Sequence, residues 1–295
     1  MALRLLIGCG YLGIRVARGW TARGDAVRVL TRSNRRAELL RQEGFEAVVG
    51  DVTQPETLAG LWGDSPKSLV YAVGYDRTSP DSINQVYAGG LAHTLEAAPA
   101  SLEQVVYIST TGVYGDAAGE WIDESTPPCP SRPGGIASLA AEEVLQQSRW
   151  ASRGVILRLA GIYGPGRLPY LDALRQGEPL AASGEGYLNL IHVDDAADLI
   201  VALTTGREPA VPGPRIYCVS DGAPVWREDF YRELAQKVGA PEPRFASVGC
   251  PSSRRERGRT SKRISNRKLM EDLRLVLRYP SYREGIAQIV AAQNK

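Results

Sequence analysis

Apolar runs of strand length alternate with amphipathic segments of helix length over the first half of the chain. The predicted strands are Leu3–Ile7, 26–30, Glu46–Val49, 69–73, 104–109 and Gly154–Leu159, and the predicted helices are 12–23, 35–43, 83–97 and 138–147. Alternation of this kind predicts βαβ units around a parallel sheet. Its early strands are almost continuously apolar, which is typical of strands that helices cover on both faces.

The alternation of strands and helices breaks down after residues 164–166, where the predicted elements become shorter and the chain becomes richer in glycine and proline. The alternation returns with a strand at 188–193, a helix at 196–204 and a strand at Arg215–Val219, and two later helices are predicted at 225–239 and Tyr282–Gln293. We therefore predict an α/β protein, a doubly wound parallel sheet with a smaller interleaved C-terminal lobe. The predicted sheet domain is 1–165 plus 187–221, and the predicted lobe is 166–186 plus 222–295.

Composition narrows the class of protein. The chain has 295 residues, of which 43% are hydrophobic and 23% are charged, so it is a globular protein and neither a disordered chain, a collagen nor a coiled coil. No apolar run approaches the roughly 18 residues of a membrane helix, and we expect a cytoplasmic protein. The four cysteines lie far apart, at Cys9, Cys129, Cys218 and Cys250. Such spacing predicts reduced thiols rather than a disulfide framework or a zinc site.

A glycine-rich motif follows the first predicted strand and opens the first predicted helix. The motif G-x-G-x-x-G is formed by Gly8, Cys9, Gly10, Tyr11, Leu12 and Gly13. In this context Gly8 allows a tight turn, Gly10 lets the backbone approach a pyrophosphate, and Gly13 lets helix and strand pack closely. The motif predicts a dinucleotide site, the alternative being a glycine turn without a ligand. Cys9 is either a redox-sensitive thiol at the helix N-terminus or a small loop side chain.

The end of the second predicted strand indicates which dinucleotide binds. A site that prefers NAD carries an acidic residue here for the ribose 2′-hydroxyl, whereas this chain has Arg32, with Arg35 and Arg36 three and four residues later. A guanidinium pairs well with a 2′-phosphate, so we predict NADP(H) in preference to NAD(H). The alternative for Arg35 and Arg36 is a solvated helix start.

Further coenzyme contacts are predicted where the third and fourth strands end. The candidates are Asp51, Val52, Ala72, Val73 and Gly74. We expect Asp51 to lie against the adenine amino group and residues 72–74 to line the nicotinamide side, because the carboxyl ends of parallel strands meet at one edge of the sheet.

Several motifs together resemble one family. They are GCGYLG at 8–13, GDV at 50–52, VYAGGLAHTLEAA at 86–98, VYISTTGVYG at 106–115, LRLAGIYGPGR at 157–167 and IHVDD at 191–195. Almost from end to end the chain resembles the extended short-chain dehydrogenase/reductases, in particular nucleotide-sugar epimerases and dehydratases. The resemblance implies an NAD(P)-binding domain with a small substrate lobe, and it adds Ser109 to the coenzyme contacts.

The family's usual catalytic pair is missing from the aligned positions. Family chemistry needs a tyrosine acid/base and a lysine four residues later. The alignment puts Gly134 and Ser138 there, and no lysine occurs between Lys67 and Lys237. Thr110 matches the family's catalytic serine or threonine. The chain is thereby identified as an atypical member of the family.

Other side chains are candidates for the missing proton donor. By analogy with the family, Tyr114, Tyr163 and Tyr75 lie at strand ends near the reacting centre, and Tyr75 is also a candidate substrate contact. A tyrosine with an ordinary pKa near 10 is a slow base at neutral pH and needs a positive neighbour. The alternative for each tyrosine is a structural wall residue.

The chain has two histidines, and only one is a catalytic candidate. His192 precedes Asp194 and Asp195, and its imidazole either shuttles protons or braces the junction between the sheet domain and the lobe. The two aspartates are expected to cap the helix that begins at residue 196. His93 falls where the family has a bracing asparagine, and we expect a structural role for it.

Residues 254–268 contain eight basic residues and one acidic residue. The segment is a solvated loop, or it supplies Lys262 and Arg263 to an anionic substrate as the family's lobe does. Nucleic-acid binding is not expected, because the run lacks interleaved aromatic residues.

Two classes of function remain. The first is an NADP(H)-dependent oxidoreductase or epimerase-like enzyme that acts on a small, anionic or sugar-derived molecule by hydride transfer at nicotinamide C4. The second is a non-catalytic NADP(H)-binding sensor or scaffold, which the missing pair would explain. Binding of a different adenine nucleotide is a third alternative, and homodimerisation through the helices predicted at 83–97 and 138–147 stays open.

Overall fold

The computed structural model describes residues 1–63, 65–206, 213–245 and 260–293. The strands are β1 Leu3–Ile7, β2 Ala26–Thr31, β3 Glu46–Val49, β4 Pro66–Tyr71, β5 Gln104–Thr110, β6 Trp121–Ile122, β7 Gly154–Leu159, β8 Gly161–Tyr163, β9 Tyr187–Leu188, β10 Leu190–His192, β11 Arg215–Val219, β12 Val225–Trp226 and β13 Arg263–Ile264. The helices are α1 Gly13–Thr21, α2 Asn34–Gln42, α3 Gly90–Ala97, α4 Pro133–Gln147, α5 Leu171–Arg175, α6 Val193–Thr205, α7 Arg227–Val238, α8 Arg267–Leu273 and α9 Tyr282–Gln293.

The main sheet has seven strands in the order β11-β7-β5-β4-β1-β2-β3. Neighbours β1 and β2, β2 and β3, β1 and β4, and β4 and β5 pair in parallel. The chain runs outward from β1 to β3 on one side and from β4 to β11 on the other, so the predicted doubly wound parallel sheet is confirmed. In such sheets ligands bind outside the carboxyl ends of the strands, where the strand order reverses, and here that position lies between β1 and β4.

The chain folds into two compact units. The first unit is Met1–Val113, Arg132–Arg158 and Ala196–Tyr217, and the second is Tyr114–Ser131, Leu159–Asp195 and Cys218–Lys295. These boundaries differ from those expected from the sequence, because pairing between short strands brings extra segments into the second unit. β6 pairs with β13, and β8 pairs with β10. Two-residue strands carry too little hydrophobic periodicity to be recognised in a sequence.

The first unit has its core on the faces of the sheet. Its buried residues include Leu5, Leu69, Val105 and Ile156 from the strands and Leu91 and Leu145 from α3 and α4. All six residues of β7 are buried, as expected of a strand that is covered on both faces. This apolar packing holds the carboxyl ends of the strands in place for ligand contacts.

The second unit has a core rich in aromatic residues. It contains Tyr163, Phe230, Tyr231, Tyr282 and Ile286 from β8, α7 and α9. Helix α9 has the bounds that the sequence pattern predicts, whereas α7 begins two residues later than expected, because Val225 and Trp226 pair with β9. Residues 254–259 of the basic segment and Cys250 lie outside the described residues. Within the described ranges, no helix is long and apolar enough to cross a membrane.

Candidate functional site

The three glycines of the loop at 8–13 have the different surroundings that their predicted roles require. Gly8 has φ +96°, and a Cβ built there would overlap the Ala72 carbonyl, so the turn after β1 passes directly against the end of β4. A Cβ on Gly13 would overlap the Gly8 carbonyl oxygen. At Gly10, by contrast, no heavy atom of the described residues, apart from its chain neighbours, lies within 4 Å of the Cβ position. The loop therefore leaves one open place where a ligand can approach the backbone, which fits a pyrophosphate.

The electrostatics of the same loop suit an anion. Helix α1 begins at Gly13 with no side-chain cap from Leu12 and no acidic residue in its first turn. The partial positive charge of a helix N-terminus is then uncompensated by the helix's own side chains. Tyr11 is held by Arg15, whose Nη1 donates to the Tyr11 carbonyl at 2.8 Å and whose guanidinium lies 4.4 Å from the ring centroid.

Burial determines the protonation state of the Cys9 thiol. The residue is buried, and loss of hydration raises its pKa to about 11, although Arg36 and Arg18 act in the opposite direction. A thiol with this pKa is protonated at neutral pH and is a poor nucleophile. The structure therefore favours the small loop side chain over the redox-sensitive thiol.

A cavity of about 560 Å³ lies beside the ends of β2 and β3. It is lined by Thr31, Arg32, Ser33, Arg36, Asp51, Gln54, Asp76, Thr78, Ser79, Pro80 and Asp81. Ser33 caps α2 by accepting the N–H of Arg36 at 3.3 Å, as its type predicts at a helix start. The guanidinium of Arg36 reaches back and donates to the Cys9 carbonyl at 3.1 Å. Two arginines thus line the cavity, and Arg36 also contacts the glycine loop.

Asp51 and Val52 are positioned by contacts within the first unit. Asp51 Oδ1 accepts from the N–H and the hydroxyl of Thr53, both at 2.9 Å, and this leaves Oδ2 for other contacts on the cavity wall. Val52 is buried, and its carbonyl accepts from His93 Nδ1 at 2.9 Å. His93 therefore has the bracing role that we expected of it.

The segment after β4 continues the edge of the sheet. The Ala72 N–H donates to the Ile7 carbonyl at 2.8 Å, which keeps residues 72–74 against the glycine loop. Among the described residues, nothing beyond its chain neighbours comes within 4 Å of the Cβ position of Gly74. The Tyr75 hydroxyl donates to the Asp81 carbonyl at 3.1 Å, so this candidate substrate contact is bonded within its own loop.

Ser109 belongs to a buried network that the sequence analysis did not identify. Its hydroxyl donates to Glu142 Oε1 at 2.5 Å, and Arg158 Nη2 donates to Glu142 Oε2 at 2.6 Å. Glu142 is fully buried and Arg158 is 2% exposed. A buried carboxylate needs such a partner, because removing it from water unpaired is very unfavourable. The signal in the sequence was the arginine in the otherwise apolar run of β7.

Thr110 ends β5 in the first unit, which also contains Gly134 and Ser138, the residues that the sequence aligns with the family's usual pair. Its hydroxyl oxygen accepts the Gly112 N–H at 3.1 Å, which leaves the hydroxyl proton available. Ser138 is buried in α4 and bonds to Tyr107, whose pKa is raised by burial. Gly134 lies in the first turn of α4, where the nearest neighbour of its Cβ position is Ile83 Cδ1 at 4.0 Å. Among the hydroxyl-bearing residues Thr110, Ser138 and Tyr107, Thr110 is the one that is only partly buried.

Tyr114 lies in the second unit with its side chain buried. The residue is 3% exposed, and its hydroxyl lies 3.2 Å from Cys218 Sγ. The Cys218 N–H in turn donates to Glu124 Oε1 at 2.7 Å. These contacts favour the structural alternative for this tyrosine.

Tyr163 and His192 form part of a buried cluster. Both are 0% exposed, and their rings meet edge to face at 5.2 Å. Tyr163 donates to the Ser281 carbonyl at 3.3 Å, and burial raises its pKa far above the ordinary value. The His192 ring also lies 3.9 Å from the Tyr279 ring. We name Tyr163, His192, Asp195 and Asp221, together with the half-buried Tyr279, the buried cluster.

The side chain that caps the start of α6 differs from those that we expected to cap it. His192 Nδ1 accepts the Asp194 N–H at 3.2 Å and so caps the helix, which begins at Val193 rather than at residue 196. Asp195 instead accepts the N–H groups of Arg278 and Tyr279, at 2.8 and 2.9 Å. The expectation that both aspartates cap the helix was therefore wrong for Asp195, because the segment before α9 lies within reach of its carboxylate. These contacts within the second unit favour a structural role for His192 over a proton shuttle.

Asp221 is a second residue that sequence reasoning missed. It is 7% exposed, and Oδ1 accepts the Ala223 N–H at 3.0 Å, whereas Oδ2 has no hydrogen-bond partner among the described residues. Burial, helped by the charges of Asp195 and Glu284, raises its pKa to about 7. In the sequence it stands in Ser-Asp-Gly after a strand, which signals only a turn.

Lys262 and Arg263 are both engaged with backbone carbonyls. The Lys262 ammonium is buried and donates to the Gly115 carbonyl. Arg263 Nε donates to the Gly119 carbonyl at 2.7 Å, and its guanidinium lies 5.2 Å from the Trp121 ring centroid and 5.3 Å from that of Tyr187. These contacts hold β13 beside β6 and do not favour the predicted binding of an anionic substrate.

Comparisons with known proteins agree with this geometry. Residues 5–219 match the family model described as the NAD dependent epimerase/dehydratase family. The protein YeeZ of Escherichia coli K12 is 30% identical over 251 residues, which cover 81% of this chain and 85% of YeeZ. The 4-hydroxy-2-methyl-3-oxo-4-farnesyl-3,4-dihydroquinoline-1-oxide ketoreductase of Stigmatella aurantiaca is 29% identical over 244 residues, 79% of this chain and 72% of that enzyme. A solved structure from Methylobacillus flagellatus, described as an NAD-dependent epimerase/dehydratase, superposes with a TM-score of 0.79 at 34% identity and covers 100% of this chain and 99% of its own.

Proposed function

The chain belongs to the NAD-dependent epimerase/dehydratase family, and we propose that it is an NADP(H)-preferring member that acts on a small, sugar-derived or anionic molecule. Its family and its ketoreductase relative are oxidoreductases and epimerases, which supports an enzyme of this class over a non-catalytic sensor or scaffold. The observation that carries the coenzyme preference is the cavity lined by Arg32 and Arg36. Homodimerisation and a cytoplasmic location stay predictions from the sequence.

The residues of the first unit divide the binding of the coenzyme among them. The open backbone at Gly10 and the start of α1 receive the pyrophosphate, because the site offers space and partial positive charge. Arg32 and Arg36 receive the 2′-phosphate, and Asp51 contacts the adenine. Val52, residues 72–74 and Ser109 complete the coenzyme wall. When bound, the nicotinamide supplies or accepts a hydride at C4.

Thr110 is the group that we assign to hold the reacting oxygen of the substrate. Its oxygen already accepts from Gly112, so its proton is directed away from that bond and can be donated to a carbonyl or alkoxide. The network of Ser109, Glu142 and Arg158 fixes the end of β5, on which Thr110 lies. Tyr114, Tyr163 and His192 are the less favoured candidates, because each is buried. The ketoreductase relative supports carbonyl reduction as the direction to test first.

The first experiment measures coenzyme binding and turnover together. NADPH and NADH are titrated by fluorescence into the wild-type protein and Arg32→Glu, with Arg35→Glu as the matched control, since Arg35 does not line the cavity. We expect tighter binding of NADPH than of NADH in the wild type. Loss of a charge-assisted contact worth roughly 1.5–3 kcal/mol predicts a weakening of NADPH binding by about 10-fold or more in Arg32→Glu, with a smaller change in the control.

Oxidation of bound NADPH is then followed while fractionated metabolites are added. Consumption that depends on one fraction and is lost in Arg32→Glu supports the proposal and identifies the substrate pool. Tighter binding of NADH would contradict the coenzyme preference. Tight NADPH binding with no oxidation by any fraction would favour the sensor or scaffold over the enzyme.

A further inference from the structure

Asp76 carries a carboxylate that its own loop holds in one orientation. Oδ1 accepts the Thr78 N–H at 3.0 Å and the Thr78 hydroxyl at 2.7 Å. The Ser79 N–H donates to the Asp76 carbonyl at 3.0 Å and closes the turn. With Oδ1 held in this way, Oδ2 lies 3.3 Å from Arg32 Nη2.

This pair differs from an ordinary surface ion pair in its location. Both side chains line the cavity beside β2 and β3, and they are 50% and 45% exposed. Pairs this exposed contribute little to folding stability, because water and salt screen them. The hydrogen bonds from Thr78 lower the pKa of Asp76, so the carboxylate is charged at neutral pH. A permanent negative charge therefore stands beside the arginine that is proposed to receive a phosphate.

We propose that Asp76 is a selectivity-determining residue, which competes with the coenzyme 2′-phosphate for Arg32 and accepts a ribose hydroxyl when the phosphate is absent. This inference rests on the coenzyme site proposed above. A phosphate monoester carries about −1.5 to −2 charges at pH 7, so its binding beside Arg32 displaces Asp76 and brings like charges together. A ribose hydroxyl is neutral and donates to a carboxylate. Asp76 thus supplies, from the loop after β4, the acidic group that is absent from the end of β2.

As a consequence, the pocket discriminates less strongly between NADP(H) and NAD(H) than it would with the two arginines alone. Arg32 and Arg36 favour NADP(H), while Asp76 disfavours the phosphate and favours the free ribose of NAD(H). The effect is electrostatic at a half-exposed site, so we expect it to weaken as salt is added. Salt dependence separates this role from a purely steric one.

The test is Asp76→Asn, which removes the charge and retains an oxygen that can accept from Thr78. Dissociation constants for NADPH and NADH are measured by fluorescence titration, at about 20 mM and about 500 mM salt, where the Debye length falls from roughly 20 to 4 Å. We expect the ratio of the NADH constant to the NADPH constant to rise about 3- to 10-fold at low salt and less at high salt, which corresponds to roughly 0.7–1.4 kcal/mol.

Two controls show whether the pairing itself matters. Asp81→Asn removes a charge from the same cavity, where the carboxylate lies 3.4 Å from Thr53 and Ser79 hydroxyls. Glu46→Gln removes the partner of Arg28 in an exposed pair that does not line this cavity. We expect a smaller rise in the ratio for Asp81→Asn and none for Glu46→Gln. Equal rises in all three variants would overturn the inference, because net charge alone would then explain them.

The outcomes also separate the inference from the proposed function. An unchanged ratio in Asp76→Asn, with wild-type NADPH binding intact and an unaltered thermal unfolding midpoint, overturns the inference alone. A wild-type preference for NADH overturns the coenzyme preference, while a rise of the ratio in Asp76→Asn still supports the role of Asp76. Failure of the wild type to bind either coenzyme overturns both.

Discussion

The glycine loop at 8–13 and the buried cluster show how differently two motif-derived sites can turn out. The loop, and Tyr163 and His192 of the cluster, were selected because their residue types match a chemical role. In the loop, one of three glycines faces open space and the other two are crowded, as coenzyme binding requires. In the cluster, Tyr163 and His192 are both fully buried, and the Tyr163 hydroxyl and His192 Nδ1 bond to neighbouring backbone.

The two sites differ because their functions depend on different properties of the chain. The loop functions through its backbone and through the absence of Cβ atoms, which are local properties of glycine beside a strand and a helix. An acid or base functions only if its side chain reaches the substrate and has a suitable pKa, and both depend on distant segments. For Tyr163 the distant segment is α9, because a Cβ on Gly285 would overlap the tyrosine hydroxyl.

The largest effect is expected from alanine at Gly8, with alanine at Gly10 as the matched control. In Gly8→Ala the new Cβ would meet the Ala72 carbonyl at a positive φ, so we expect a loss of about 3 kcal/mol or more in the free energy of unfolding. In Gly10→Ala the Cβ has no close contact with the part of the chain that the structure describes, so stability should change by about 1 kcal/mol or less. Urea unfolding measures both changes.

NADPH titration completes this comparison of the two glycines. Gly10→Ala should bind NADPH at least several-fold more weakly despite normal stability, because its methyl group occupies the open approach to the backbone. Equal stability of the two alanine variants would contradict the assigned turn geometry. Unchanged NADPH binding in Gly10→Ala would place the pyrophosphate elsewhere.

A smaller effect, which depends on pH, is expected from Asp221→Asn in the buried cluster. The folded-state pKa of about 7 lies above the ordinary value of 3.8, so between these values the folded state holds more protons than the unfolded state. Stability contributed by this group therefore falls as pH rises from about 4 to 7. At pH 8 the neutral asparagine should be more stable than the wild type by roughly 2–4 kcal/mol, and the difference should vanish near pH 4.

Chemical denaturation at several pH values checks the Asp221 prediction. Glu178→Gln, an exposed substitution in the same unit, serves as the control and should change the free energy of unfolding little. A variant Asp221→Asn that is less stable than wild type at pH 8 would show that the charged carboxylate has a stabilising partner.

The smallest effect is expected from Tyr163→Phe. The substitution removes a hydrogen bond of 3.3 Å to the Ser281 carbonyl, so the unfolding free energy should fall by about 0.5–1.5 kcal/mol. NADPH binding and any metabolite-dependent NADPH oxidation should remain, because the hydroxyl is buried and its pKa is raised. Loss of NADPH oxidation in a stably folded Tyr163→Phe variant would identify Tyr163 as the acid or base. It would also contradict the contrast drawn with the glycine loop.

Much of the fold could be predicted from patterns of adjacent residues. The strands Leu3–Ile7 and Glu46–Val49 and the helix Tyr282–Gln293 have the predicted bounds, because period and length identify them locally. The short strands β6 and β13 were not predicted, since each exists only through its partner. Their pairing also explains why Lys262 and Arg263 bond to backbone carbonyls rather than standing ready for a ligand.

The sequence by itself determined the doubly wound sheet, the glycine loop and the basic residue at the end of β2. These features depend on periodicity, on the missing side chain of glycine and on position relative to a strand, all of which are local. Only the tertiary structure decided that Glu142 and Arg158 anchor Ser109, that Asp76 faces Arg32 and that Asp221 is buried with no partner for Oδ2 in the described ranges. Burial and charge pairing are properties of segments far apart in the chain, so no local pattern can report them.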